Sequence, residues 1–191
     1  MEVLFHFIFQ LIKIGILASI YSALLIGIMM TIRSFKSTEY LERVKKKKKK
    51  YWFVFGLFIS IGLFIYSFTY WGNHGLGDSA RIPIGKFKEI GEINGTDSYI
   101  EPKNYPYGAM MVHSFKKSDN FLTGKTEISP VDRPEPFFSW DLSKDQIVFF
   151  DSEKEYNQYA KNNGLAKSSE FKTFRESYKK YWGGIKYWML P

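Results

Sequence analysis

Apolar positions along this chain fall into two regimes. From Ile14 to Ile32 (IGILASIYSALLIGIMMTI) no charged residue occurs, and the same holds from Tyr51 to Trp71 (YWFVFGLFISIGLFIYSFTYW). At roughly 1.5 Å per residue, either run is about 30 Å long as a helix, the hydrocarbon thickness of a bilayer. The pattern predicts two transmembrane helices, paired as a hairpin over residues 1–71. Tyr51-Trp52 and Tyr70-Trp71 set amphipathic rings at both ends of the second run, where membrane interfaces favour them. The first run ends in MMTIRSF instead of a small-residue cleavage site, which argues against a removable signal peptide.

Past Trp71 the pattern shortens to strands and turns. GNHGLGDSARIPIG reads as an extended exit from the membrane. FKEIGEI and TDSYIE flank Asn94-Gly95, a strong hairpin signal. GAMMVHSF fits a further strand with a turn near Lys117 to Asn120, and PFFSWDL with QIVFF fits a second hairpin around Ser143 to Asp145. Helices come last. Ser152 with Glu155 forms a capping box, and Gly164 is suited to the left-handed stop. Ser168 or Ser169 then caps a helix in which Phe171, Phe174, Tyr178 and Tyr181 oppose Lys172, Arg175, Glu176 and Lys179, ending at Gly183-Gly184. Strands followed by helices, without βαβ alternation, predict an α+β fold: a compact domain over 72–191 with an antiparallel sheet covered on one face and two C-terminal helices. PVDRPEP reads as a rigid surface connection. Ile185 to Pro191 (IKYWMLP) is too apolar for a loose tail, and its alternation predicts a short strand docked on the outer domain; the competing reading is an aromatic tail dipping into the outer leaflet.

Charge changes the picture by its location. The formal net charge of +8 would raise nucleic-acid binding if it were spread over a folded surface, but residues 72–191 carry only +1, whereas Arg33 to Lys50 carries +7. Nucleic acid is therefore not an expected partner. Arg33, Lys36, Arg43, Lys45, Lys46, Lys47, Lys48, Lys49 and Lys50 lie between the two apolar runs, and an excess of Lys and Arg in a short loop marks the cytoplasmic side. Both termini and the domain then lie outside the cytoplasm, in the periplasm if the membrane is a bacterial inner membrane. Twenty-two Lys against five Arg reflects the bias of an AT-rich bacterial genome. The same cations suit anionic lipid headgroups.

Gly15, Ser19, Ala23 and Gly27 recur every four positions on one face of the first helix, and Gly56 with Ser60 offers small residues on the second. Two readings fit: close packing within the hairpin, or self-association and docking of a membrane partner. His6, Gln10 and Lys13 share a stripe near one end of the first span, which suits an interfacial extension in which Lys13 snorkels outward better than an ion pathway.

Candidate chemistry is thin. With no cysteine there is no disulfide, thiolate site or cysteine nucleophile. Gly77-Asp78-Ser79 resembles the GDS opening of a serine-hydrolase family, yet no strand precedes it and no histidine follows His113 to serve as base. His74 and His113 are too far apart in sequence for a zinc motif, and GNHGLG lacks the strand and helix of a nucleotide loop. The sequence assigns no catalytic, cofactor or metal residue. It points to a membrane-anchored, non-enzymatic module whose outer domain binds a protein partner or envelope component, as an accessory subunit of a membrane complex. The alternatives are an envelope enzyme or small-ligand binder with a pocket at Trp140, Tyr105 or Tyr107, and a membrane effector or sensor whose domain is cytoplasmic.

Overall fold

The computed structural model describes residues 2–72, 79–106, 108–126 and 137–191. It is α+β: long N-terminal helices, a seven-stranded antiparallel sheet and C-terminal helices. Two compact units result, Met1–Gly77 with Gly184–Pro191, and Asp78–Gly183.

In the helical unit, α1 (Glu2–Phe35) is one uninterrupted helix of 34 residues, about 51 Å at the usual rise, since no proline breaks it. The basic connection expected as a loop is itself mostly helical. Thr38 caps α2 (Glu39–Lys46) by accepting from the Leu41 N–H; Glu39 and Glu42 sit in its first turn and Arg43, Lys45 and Lys46 in its last, as the helix dipole favours. α3 (Lys48–Ser67) follows at once and runs back along α1, with Phe64 edge-on to Phe7 and the Trp52 indole donating to the Ser19 carbonyl at 3.2 Å. α1 and α3 are both long and apolar enough to cross a membrane.

The C-terminal segment departs from the expected strand. Ile185–Met189 forms a short helix, α6, and belongs to the helical unit. Tyr21 donates its hydroxyl to the Met189 carbonyl, and the Lys13 ammonium stands 4.8 Å above the Tyr187 ring.

In the other unit, β1 (Ser79–Gly85), β2 (Lys88–Ile93), β3 (Asp97–Ile100), β4 (Met110–Ser118), β5 (Phe121–Thr126), β6 (Phe137–Asp141) and β7 (Gln146–Phe150) pair in chain order. The Asn94-Gly95 turn is formed as expected, both residues having positive φ, with Ile93 opposite Asp97. β1 lies where the pattern predicts an extended exit and is instead an edge strand, where Pro83 leaves no interior ladder bond unmade. β5, hidden in the polar-looking FLTGKT, is central and carries Leu122 and Thr123, both fully buried.

The sheet is covered on both faces, not one. Ile82, Ile90, Ile100, Val112, Leu122, Phe138 and Trp140 share a core with Phe174 of α5 (Phe174–Trp182). Phe137 and Phe150, cross-strand partners, face the other way and pack with Tyr156 and Ala160 of α4 (Glu153–Asn163). Ser152 and left-handed Gly164 bound α4 as expected. The next helix starts later than expected. Ser168–Glu170 makes only a 3₁₀ turn, and α5 is capped by Thr173, whose hydroxyl accepts from the Glu176 N–H while the Glu176 carboxylate accepts from the Thr173 N–H. The delay leaves Lys172 extended, to exchange two backbone hydrogen bonds with Phe115 of β4. PVDRPEP, His74, Gly77-Asp78 and Tyr107 lie outside the described residues.

Candidate functional site

Three groups of residues bear on function: the basic segment, the outer faces of the helix pair, and one polar cluster in the sheet.

The basic segment divides into paired and unpaired cations. Arg33 bonds Glu42 at 2.7 Å, Ser37 donates to the same carboxylate, and Arg43 meets Glu39 at 3.2 Å. Hydrogen bonds from Arg33 and then Ser37 hold the Glu42 carboxyl below its ordinary range. Among the described residues, Lys36, Lys45, Lys46, Lys47, Lys48, Lys49 and Lys50 enter no ion pair, and all seven are exposed. Lys47 to Lys50 crowd the N-terminus of α3, which has no acidic residue in its first turn and no side-chain cap. Cations there oppose the helix dipole, so the arrangement gains from an external anion.

The helix pair does not use the small-residue stripe as its seam. α1 buries Gln10, Ile14, Leu17, Ala18, Ser22 and Ile26. Gly15, Ala23 and Gly27 are exposed and Ser19 is half-buried; a Cβ on Gly15 or Gly27 would meet nothing within 4 Å. Ala23 and Gly27 instead line a shallow apolar groove with Ile20, Leu24, Ile28 and Thr31. On α3, Gly56 does face α1, its Cβ position 3.4 Å from the Ser22 hydroxyl, whereas the half-buried Ser60 bonds back to Leu57. Gln10, Ile14, Ala18, Ser22 and Ile26 keep the same four-residue spacing one position earlier, about 100° around the helix, so Ser22 and not Ala23 is the small residue at the α1 contact.

In the sheet unit, Lys88 at the start of β2 lies 2.7 Å from Asp145 in the β6–β7 turn, both side chains only 15% exposed. The Lys88 ammonium is also 5.2 Å from the centre of the Trp140 ring, and the Trp140 indole donates to Asp145 Oδ1 at 2.8 Å. Burial works against the Asp145 charge, yet hydrogen bonds from Lys88 and Trp140 and the Lys88 charge outweigh it and hold the carboxyl below its ordinary range. Asp145 takes a positive φ of 57° to reach this position. The cluster clamps two strands that are not neighbours in the sheet. Nothing in the sequence flagged it, because Lys88 reads as a strand-start cation and Asp145 as a turn residue.

Trp140 is 1% exposed within the core, and half-buried Tyr105 packs its ring against Phe149. Glu92 is pushed up by burial, with Arg175 opposing. Among the described residues, no group of His, Asp and Glu is placed to hold a metal ion, and His113 is exposed at the irregularity between Val112 and Ser114 in β4.

The chain matches no protein-family model, no curated protein and no solved structure.

Proposed function

We propose that the protein is a membrane-anchored binding module: α1 and α3 cross the bilayer, the basic segment stays in the cytoplasm, and the Asp78–Gly183 unit is presented outside. The observation that carries this reading is where the helices put their apolar side chains. Only 28% of the most apolar stretch of α1 and 6% of that of α3 is buried within the protein. Leu57, Phe58, Ile61 and Ile65 of α3 stand 49–69% exposed. The core helix of a soluble protein would bury such residues; a helix in lipid has no need to. The clustered lysines support the orientation, and anionic headgroups on that side would supply the anion that the N-terminus of α3 lacks.

Binding is favoured over catalysis because the most enclosed ion pair among the described residues, Lys88 with Asp145, is already engaged with Trp140. Phe87, at the β1–β2 tip, is 80% exposed, and Met111 and Val148 are more than 40% exposed, which supplies apolar anchors for a protein or envelope partner. In a bacterial inner membrane the unit would face the periplasm, as an accessory subunit of a larger assembly. A reporter active only outside the cytoplasm, fused after Pro191, is expected to work, and replacing Lys45 to Lys50 by neutral residues to weaken that bias. A C-terminal tag protected from protease in spheroplasts would place the unit inside and overturn the reading. Crosslinking in mild detergent, with identification of the captured chain, then tests for a partner.

A further inference from the structure

We propose that α6 is a second membrane attachment, its Ile185, Trp188 and Met189 side chains seated among phospholipid chains below the headgroups, so that the Asp78–Gly183 unit is held to the bilayer at both ends. The inference rests on α1 and α3 crossing the membrane.

Its basis is the level at which α6 meets α1. The Tyr21 hydroxyl donates to the Met189 carbonyl, and the next residue, Ser22, is the one whose hydroxyl lies against Gly56 in α3. At the other end of the contact, Lys13 stands over the Tyr187 ring. From Lys13 to Tyr21 is about 12 Å of helix axis. The short helix therefore runs beside the same stretch of α1 that pairs with α3, and whatever medium surrounds that pair also surrounds α6.

The side chains of α6 fit hydrocarbon and not water. Ile185 is 74% exposed, Trp188 75%, Tyr187 59% and Met189 50%. A helix of five residues is too short to persist in water on its own. On the same stretch of α1, Ile12, Ile16 and Ile20 are likewise 49–57% exposed. Lys13, whose ammonium stands over the Tyr187 ring, and Lys186 are cations of this region, and their long stems suit an apolar layer. Trp and Tyr beside such cations are the composition of a membrane-interface anchor.

The chain has no cysteine, so a nitroxide can be placed at one position at a time. Full-length protein carrying Trp188→Cys, Phe58→Cys on α3 or Lys161→Cys on α4 is labelled and reconstituted in phosphatidylethanolamine–phosphatidylglycerol vesicles. Relaxation by oxygen and by a water-soluble nickel chelate is then compared. The expected result is that the label at 188 follows that at 58, oxygen dominating, whereas the label at 161 follows nickel. Ile185→Cys, which keeps Trp188, is expected to behave like Trp188→Cys and decides the matter if loss of the tryptophan releases the helix. Labels at 185 and 188 that both follow nickel, with 58 in lipid, would overturn the inference and leave the membrane reading standing. Labels screened from both reagents would overturn it in favour of a second copy or another protein. A label at 58 that follows nickel would overturn both readings together.

Discussion

The helical unit and the sheet unit use the same kinds of side chain turned in opposite directions. In the sheet unit, Phe138, Ile90, Ile100 and Leu122 are fully buried. In α3, Phe53, Phe58 and Ile65 are 60–69% exposed, and the interior seam of the helix pair includes Gln10 and Ser22. Water forces the first arrangement, because apolar surface is costly there and must be covered. In the lipid setting proposed for the helices that force is absent, so Phe53 and Phe58 can stand outward while Gln10 and Ser22 join Ile14, Leu17 and Ile26 inside. The inversion teaches more than composition does, since each unit is rich in Phe and Ile and only the sidedness tells which solvent it is built for.

The inversion is most exposed to failure at a pair of phenylalanines. Phe138→Ala removes a fully buried ring from the sheet core, against which Gly124 also closes, its Cβ position 2.7 Å from the Phe138 ring. The expected cost is about 3–5 kcal/mol, and each kcal/mol lowers the melting temperature of a domain this size by roughly 4–8 °C. Phe58→Ala, at a position 69% exposed on α3, is expected to cost less than about 1 kcal/mol, because a ring that meets little protein leaves no cavity behind. Thermal melts of the full chain in detergent micelles check both. Equal losses would mean that α3 packs on protein and not on lipid.

A second contrast concerns charge. At the first turn of α3, Lys47 to Lys50 are exposed and oppose the helix dipole, so neutral replacements there are expected to change thermal stability by less than about 1 kcal/mol, and upward. In the sheet unit, Lys88→Met strands the Asp145 carboxylate beside Trp140, and a loss of about 2–3 kcal/mol is expected, below the figure for a fully enclosed pair. The pair also gives the sheet unit an acid sensitivity. The folded Asp145 carboxyl titrates below the unfolded one, so the native state holds fewer protons. Its stabilisation is complete above the unfolded value, near ~4, and is lost as pH falls through the folded value. Melting temperatures across that acid range should fall steeply in the wild type. Lys88→Met with Asp145→Asn, which retains an acceptor for the Trp140 indole, should flatten the dependence; an unchanged slope would assign the acid sensitivity to other carboxylates.

Local signals carried much of the architecture. The Asn94-Gly95 turn, the Ser152 cap, the Gly164 stop and the Gly183-Gly184 break are all written within a few residues, and all are formed. What the sequence hid depends on contacts distant along the chain. Ser168 and Thr173 both resemble caps, and the choice falls to Thr173 because Lys172 must stay extended to pair with Phe115. β1 was masked by its proline and by the glycines before it, and β5 by Thr123 and Gly124, which look polar or flexible until Phe138 and α4 cover the two faces. IKYWMLP alternates as a strand would, but a hydroxyl at Tyr21, far back in the chain, meets it as a helix. The Lys88–Trp140–Asp145 cluster was invisible for the same reason.

The smallest expected effect separates the two faces of α1. The small residues of the exposed stripe and the small residue opposite the seam look alike in sequence, yet the structure distinguishes them by what lies nearby. Gly56→Ile puts a branched side chain where Ser22 is already 3.4 Å away, and overpacking of this kind costs about 1–3 kcal/mol. Gly27→Ile extends into open space with no atom within 4 Å, so the hairpin itself should be unaffected. Lower thermal stability is therefore expected for Gly56→Ile alone. If Gly27→Ile abolishes crosslinked oligomers while its melting curve stays that of the wild type, the groove formed by Ile20, Ala23, Leu24 and Ile28 is a contact between chains. If oligomers survive it unchanged, that groove faces lipid. Loss of hairpin stability in Gly27→Ile but not in Gly56→Ile would show that α1 pairs with α3 through the other face, and would undo the inside-outside distinction on which the contrast between the units depends.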